Sequence, residues 1–163
     1  YILLLIFITT FLIPLFSILG LKTTASISSL QLENRKERIL PFAFVTIFYG
    51  LTTYLFHIKI EVNSFLLAVF IGATLIVALI TLITIFFKIS VHAAATGCLV
   101  GSLLAIIYLY PRFSLIWPFS LVVLISGLIL GARLALNAHT GKEVYAGLLL
   151  GFFVCFMSVY FLS

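Results

Sequence analysis

Hydrophobic residues occupy most of this chain in six long runs separated by short polar intervals. The runs cover about residues 1–21, 39–58, 63–87, 89–111, 113–136 and 143–163. Each can cross a hydrocarbon layer of about 30 Å, which requires about 20 helical residues. Helices are predicted because backbone groups in lipid must hydrogen-bond within the protein, and because the runs lack the alternation of barrel strands. The pattern therefore predicts an all-α, polytopic membrane protein with a six-helix transmembrane bundle.

The composition supports this class of protein. Of the 163 residues, 64% are hydrophobic and 8% are charged. A soluble domain needs a polar surface that such a composition cannot supply. No linker marks a second domain, so residues 1–163 are expected to form a single transmembrane domain, with an N-terminal piece missing before Tyr1. The expected partner is the bilayer, with no nucleic acid and no cofactor.

Local features add further expectations. Pro14 and Pro118 lie inside the first and fifth runs and are expected to kink them. Cys98 and Cys155 fall within predicted spans without metal-ligand spacing, and we interpret them as small apolar packing residues. The polar interval from Leu21 to Arg38 is expected to contain a short amphipathic interfacial helix.

Ionisable residues are concentrated between the last two runs, in the stretch GARLALNAHTGKEVYAG from Gly131 to Gly147. It contains Arg133, His139 and Glu143, in a chain that has no Asp. Ionisable side chains at the ends of membrane-buried segments are rare and are candidates for a functional site. On this stretch alone, a polar loop with one snorkelling Arg is the alternative.

The spacing of these residues is specific. Arg133, five residues, His139, three residues and Glu143 resemble the third signature of the type 2 phosphatidic acid phosphatase superfamily, Ser-Arg-x5-His-x3-Asp. Ala132 stands in place of the Ser of that signature, and Glu143 in place of its Asp. Both departures keep the chemical groups that the signature needs.

The start of the fourth run resembles the second signature of the same superfamily, Pro-Ser-Gly-His. Ser90 and His92 match it, whereas Ile89 and Val91 stand in place of Pro and Gly. Ser90 is a predicted N-cap, so the free N–H groups and positive dipole end of the fourth helix would face a bound anion.

The first signature, Lys-x6-Arg-Pro, is not reproduced. If Arg38 is its Arg, Gln31 occupies the Lys position and Pro41 is displaced along the chain. Arg35 and Arg38 are still candidate phosphate ligands, because a guanidinium group binds phosphate oxygens in pairs. The alternative is a juxtamembrane basic cluster that binds anionic headgroups.

The resemblance implies metal-independent removal of phosphate from a lipid. His139 is the implied nucleophile, Glu143 is implied to hold its other ring nitrogen, and His92 is the implied general acid and base. The implied phosphate-binding residues are Arg133, Arg38, Arg35 and Ser90.

Small residues at four-residue spacing are expected to press the three site-bearing helices together, because such lines let membrane helices approach closely. They are Ala93, Gly97 and Gly101 in the fourth helix, Gly127 and Gly131 in the fifth, and Gly147 and Gly151 in the sixth.

Two functions and two orientations stay open. The chain is either a lipid phosphatase or a non-catalytic lipid-binding or transport protein. Counting crossings places the 131–143 stretch on the membrane face opposite His57. The excess of Lys and Arg on the 131–143 face favours the cytoplasm, whereas the resemblance favours the outer, periplasmic side of a bacterial inner membrane. We expect the outer side.

Overall fold

Six helices that are long and apolar enough to cross a membrane dominate the computed structural model, which describes residues 2–24, 27, 34–60, 62–111 and 114–163. No strand occurs in these ranges. This confirms the prediction of an all-α integral membrane protein with six spans. In chain order the helices are α1 (Ile2–Thr23), α2 (Arg35–Ile58), α3 (Ser64–Thr84), α4 (Val91–Leu109), α5 (Ile116–Ala135) and α6 (Gly141–Leu162).

The start of α2 differs from the hydrophobic run. The helix begins at Arg35, inside the polar interval, because Asn34 provides an N-cap whose side chain accepts a hydrogen bond from the Lys36 N–H at 3.1 Å. Arg38 therefore belongs to the first turns of a spanning helix. The interfacial helix predicted for the rest of the interval falls mainly on positions 25, 26 and 28–33, outside the described residues.

The two prolines have different consequences. A π-helical turn, Ile8–Leu12, directly precedes the segment that contains Pro14. Proline cannot donate to the carbonyl four residues earlier and its ring crowds that carbonyl, so a wider turn accommodates it. Pro118 is only the third residue of α5. The first N–H groups of a helix have no intrahelical acceptor, so the kink predicted there is wrong.

The described residues fall into two compact units, and α3 contributes to both. The first unit consists of Tyr1–Val62 and Val77–Lys88. Within it, the hydroxyl groups of Thr46 and Thr81 lie 3.1 Å apart and join α2 to α3. Such side-chain hydrogen bonds help to hold helices together where lipid offers no polar partner.

The second unit consists of Asn63–Ile76 and Ile89–Ser163, and it contains α4, α5 and α6. The Ser158 hydroxyl donates to the Ala68 carbonyl at 2.7 Å, which joins α6 to the first part of α3. The most extensive packing in this unit is between α4 and α6.

The backbones of α4 and α6 touch because glycines of α6 face α4. A Cβ atom added at Gly147 would lie 2.5 Å from the Ser90 carbonyl oxygen, and one added at Gly151 would overlap the Ala94 carbonyl. This confirms that the small residues of these two helices allow close approach.

A disulfide between Cys98 and Cys155 continues this contact, with Cα atoms 5.0 Å apart. The interpretation of these cysteines as apolar packing residues is therefore wrong. The two cysteines are separated by 57 positions in the chain. Ser90 and Gly147 have the same separation, and so do Ala94 and Gly151. The disulfide is thus the third contact in one row that repeats every four residues.

The glycines of α5 behave differently. A Cβ atom added at Gly127 or Gly131 would meet no atom within 4 Å. Only 6% of the most apolar 18-residue segment of α5 is buried. The prediction that this line presses α5 against the other two site-bearing helices is wrong, because small residues permit a close approach without determining which face is used.

The crowded surroundings of Gly151 and the open surroundings of Gly127 give a matched test of the packing. Gly151→Ala should lower the thermal unfolding midpoint of the detergent-purified protein, because forced overpacking costs about 1–3 kcal/mol. Gly127→Ala is the control and should leave the midpoint unchanged or raise it, since Ala is favoured over Gly in helices by up to about 1 kcal/mol. Equal midpoints for the two variants would contradict the α4–α6 contact.

Candidate functional site

The first turn of α6 is built around Thr140, which is the N-cap. Its Oγ1 accepts a hydrogen bond from the Glu143 N–H at 3.4 Å. Thr-x-x-Glu is the pattern of a capping box, in which the acidic side chain turns back toward the start of the helix. Glu143 does turn back, and its Oε2 lies 2.6 Å from Nδ1 of His139. The cap therefore places the carboxylate beside the imidazole.

The pair formed by His139 and Glu143 is almost enclosed, with side chains that are 2% and 13% exposed. An ionised carboxylate can only accept a hydrogen bond, so Nδ1 of His139 carries the proton in this contact. In the neutral imidazole the lone pair is then on Nε2. The contact implied by the family resemblance is present, and it selects the tautomer that a nucleophilic Nε2 requires.

A defined turn connects α5 to this pair. The Ala138 N–H donates to the Arg133 carbonyl at 3.2 Å, and the Asn137 N–H donates to the Leu134 carbonyl at 3.0 Å. Asn137 has a φ of 51°, the only positive φ among the described residues. These are the bonds and the left-handed residue of a Schellman C-cap. The turn carries the chain from Arg133 to His139 with no unstructured linker.

Arg133 lies in the last turn of α5 and is half-buried. Its Nε atom is buried and has no hydrogen-bond partner among the described residues. A buried donor without an acceptor is costly, and a guanidinium group prefers paired oxygen acceptors. An anion such as a phosphate group would satisfy it.

The start of α4 is joined to the start of α6 through backbone atoms. The Ser90 N–H donates to the Glu143 carbonyl at 3.2 Å. Ser90 is the N-cap of α4, as predicted, with its hydroxyl accepting from the Ala93 N–H at 3.4 Å. Ser90 has no exposed surface. Its hydroxyl therefore caps the helix in this structure, and the predicted role as a phosphate ligand gains no support from this placement.

His92 is the second residue of α4 and is exposed. It follows Ser90 by two positions, so the helix that carries it is tied to Glu143 by the same backbone hydrogen bond. Of the two histidines in this unit, His92 is accessible and His139 is enclosed.

Arg35 and Arg38 belong to the first compact unit, at the start of α2. Arg35 donates through a guanidinium nitrogen to the Phe86 carbonyl. Arg38 is only 8% exposed, which is unusual for a charged side chain and indicates that its surroundings hold the guanidinium group. Their proposed contact with phosphate stays a prediction.

Two residues of the site are absent from the sequence-based prediction. Thr140 was recognisable from the Thr-x-x-Glu pattern at the start of an apolar run. Asn137 was recognisable as a residue that tolerates a left-handed conformation just after a helix. Thr140 caps the backbone of α6 with its hydroxyl, and Asn137 acts through its own backbone conformation. Neither role belongs to the chemistry of the signatures, which is why the signatures did not reveal them.

The residues that the structure describes include no group of three or more His, Cys, Asp or Glu that could hold a metal ion. Comparisons with protein-family models, with curated proteins and with solved structures each found no match.

Proposed function

We propose that this protein is an integral membrane phosphatase that removes phosphate from a lipid phosphomonoester or pyrophosphate. The observation that carries the proposal is the 2.6 Å contact between His139 Nδ1 and Glu143 Oε2 at the membrane end of α6. A histidine whose second nitrogen is held by a carboxylate is the arrangement of an activated imidazole. The resemblance to the type 2 phosphatidic acid phosphatase superfamily supports the same assignment.

In the first step, Nε2 of His139 attacks the phosphorus atom and the bond from phosphorus to the lipid oxygen breaks. The imidazole becomes positively charged as the N–P bond forms, and the Glu143 carboxylate stabilises that charge. His92, protonated at the start, donates its proton to the departing oxygen. The lipid leaves as an alcohol, or as a monophosphate if the substrate is a pyrophosphate.

In the second step, water attacks the phosphorus atom while neutral His92 takes its proton. The N–P bond breaks, inorganic phosphate leaves, and His139 and His92 return to their first states. Arg133 binds nonbridging oxygens in both steps, and its buried, unpartnered Nε supports this role.

The substrate class follows from where these residues lie. Arg133 is in the last turn of α5, and His139 precedes α6 directly. Ends of spanning helices lie near the headgroup region, where a lipid phosphate reaches the protein while its tails stay in the bilayer. Phosphatidic acid, phosphatidylglycerophosphate, a polyprenyl pyrophosphate and the phosphate of a lipopolysaccharide anchor all fit this description.

A specific observation favours a second candidate function, a non-catalytic lipid-binding or transport protein. The side chain of His139 is 2% exposed, so a phosphate can reach Nε2 only after neighbouring groups move. A protein that binds headgroups without turnover would not need that movement. Measured turnover separates the two functions.

The test is phosphate release by detergent-purified protein from a panel of lipid phosphates, with EDTA present. The phosphatase proposal predicts EDTA-resistant release that vanadate inhibits. His139→Ala should reduce release by at least about 10⁴-fold, since the covalent step is lost. His57→Ala, which changes an exposed histidine in the last turn of α2, is the matched control and should keep full release.

Either of two results would count against the phosphatase. Full turnover by His139→Ala would show that His139 is not the nucleophile. No release from any lipid, in folded protein that still binds lipid phosphate, would favour the non-catalytic function.

We further propose that the site faces the outer, periplasmic side of a bacterial inner membrane. The resemblance to the type 2 phosphatidic acid phosphatase superfamily supports this side, because bacterial members of that superfamily often act on the outer side of the inner membrane. The excess of Lys and Arg on the site face argues for the opposite orientation. We give more weight to the resemblance, because several of those charges belong to the proposed site.

Orientation can be measured at Lys142, an exposed residue in the first turn of α6. A cysteine introduced there should react with a membrane-impermeant maleimide added to intact cells, whereas the native cysteines are already paired. Reaction only after the cells are opened would place the site in the cytoplasm.

A further inference from the structure

Asn137 has an unusual backbone conformation at a decisive position. Its φ of 51° lies in the left-handed region, which costs most L-residues about 1–2 kcal/mol and is tolerated best by Gly and Asn. The residue is exposed. What this position requires is therefore a backbone conformation rather than a packed side chain.

The conformation matters because of what it connects. In the Schellman turn, the reversal at Asn137 lets the Ala138 N–H reach back to the Arg133 carbonyl at 3.2 Å. The next residue is His139, followed directly by the N-cap Thr140. Arg133 lies in the last turn of α5 and His139 lies just before α6, and this one reversal fixes how the chain passes between them.

We propose that Asn137 is a positioning residue, whose left-handed conformation sets the placement of Arg133 relative to the pair formed by His139 and Glu143. The inference rests on the proposed phosphatase function for its kinetic consequence. Its structural consequence can be measured without turnover. A residue that cannot adopt this φ would open the turn and change the position of His139 relative to Arg133.

The experiment compares Asn137→Val with Asn137→Gly. A β-branched residue is strongly disfavoured at this φ, whereas glycine adopts it freely. Ala135→Val is the control for adding a β-branched residue, because Ala135 is exposed in the last turn of α5. All three variants are first checked for folding by thermal unfolding in detergent.

Two readouts are taken on each protein. The first is the kcat and KM of phosphate release from the lipid that the wild type hydrolyses best. The second is the nitrogen-15 spectrum of histidine-labelled protein, which contains only 3 histidines. The His139 signal is assigned by its loss in His139→Gln.

We expect Asn137→Val to lower kcat by about ten- to hundredfold with a smaller change in KM, as misalignment of reacting groups does, and to shift the His139 signal. Asn137→Gly and Ala135→Val should stay within about twofold of wild type, a margin set by the low cost of Gly at this φ, and keep the wild-type spectrum.

The outcomes separate the two proposals. A wild-type spectrum for Asn137→Val overturns the positioning role, and so does a Gly variant as impaired as the Val variant. In an active protein, a shifted His139 signal with unchanged kcat also overturns it. If the wild type releases no phosphate, the phosphatase proposal fails, and the spectra alone decide whether Asn137 positions His139.

Discussion

The second compact unit depends on the direct contact between the backbones of α4 and α6. Without side chains at Gly147 and Gly151, the Ser90 and Ala94 carbonyls pack against α6 itself. That approach brings the Ser90 N–H within 3.2 Å of the Glu143 carbonyl. The bond satisfies a backbone donor that could find no partner in lipid. This hydrogen bond holds the start of α4, which carries His92, beside the start of α6, which follows His139 in the chain.

Two helix caps, one at the start of α6 and one at the end of α5, complete the site around this contact. Thr140 caps α6 and leaves the Glu143 carboxylate facing His139. The Schellman turn at Asn137 ends α5 just after Arg133. The end of α5 and the start of α6 are therefore only a few residues apart in the chain, and the hydrogen bond from Ser90 to Glu143 joins the start of α4 to them. None of the polar side chains has to lie deep in hydrocarbon, where its cost would be highest.

Much of the fold could be predicted from hydrophobic length, because a bilayer demands long apolar helices whatever their packing. Packing partners could not be predicted in the same way. Gly151 and Gly127 have the same local pattern, yet only Gly151 meets another backbone. The disulfide was missed because Cys98 and Cys155 look apolar in isolation, and only the four-residue register of α4 against α6 pairs them. At the site, the spacing of His139 and Glu143 predicted their contact, whereas the burial of Ser90 depends on tertiary packing.

The central claim is that His139 forms a covalent bond to phosphorus, and trapping that intermediate tests it most directly. Purified protein would be mixed with a radiolabelled lipid phosphate, quenched in base because the N–P bond is acid-labile, and digested for mass spectrometry. We expect a radiolabelled phosphoryl group on His139, and we expect its radioactivity to be lost when excess unlabelled substrate is added before the quench. Turnover without a label on His139, or with a label on another residue, would contradict it.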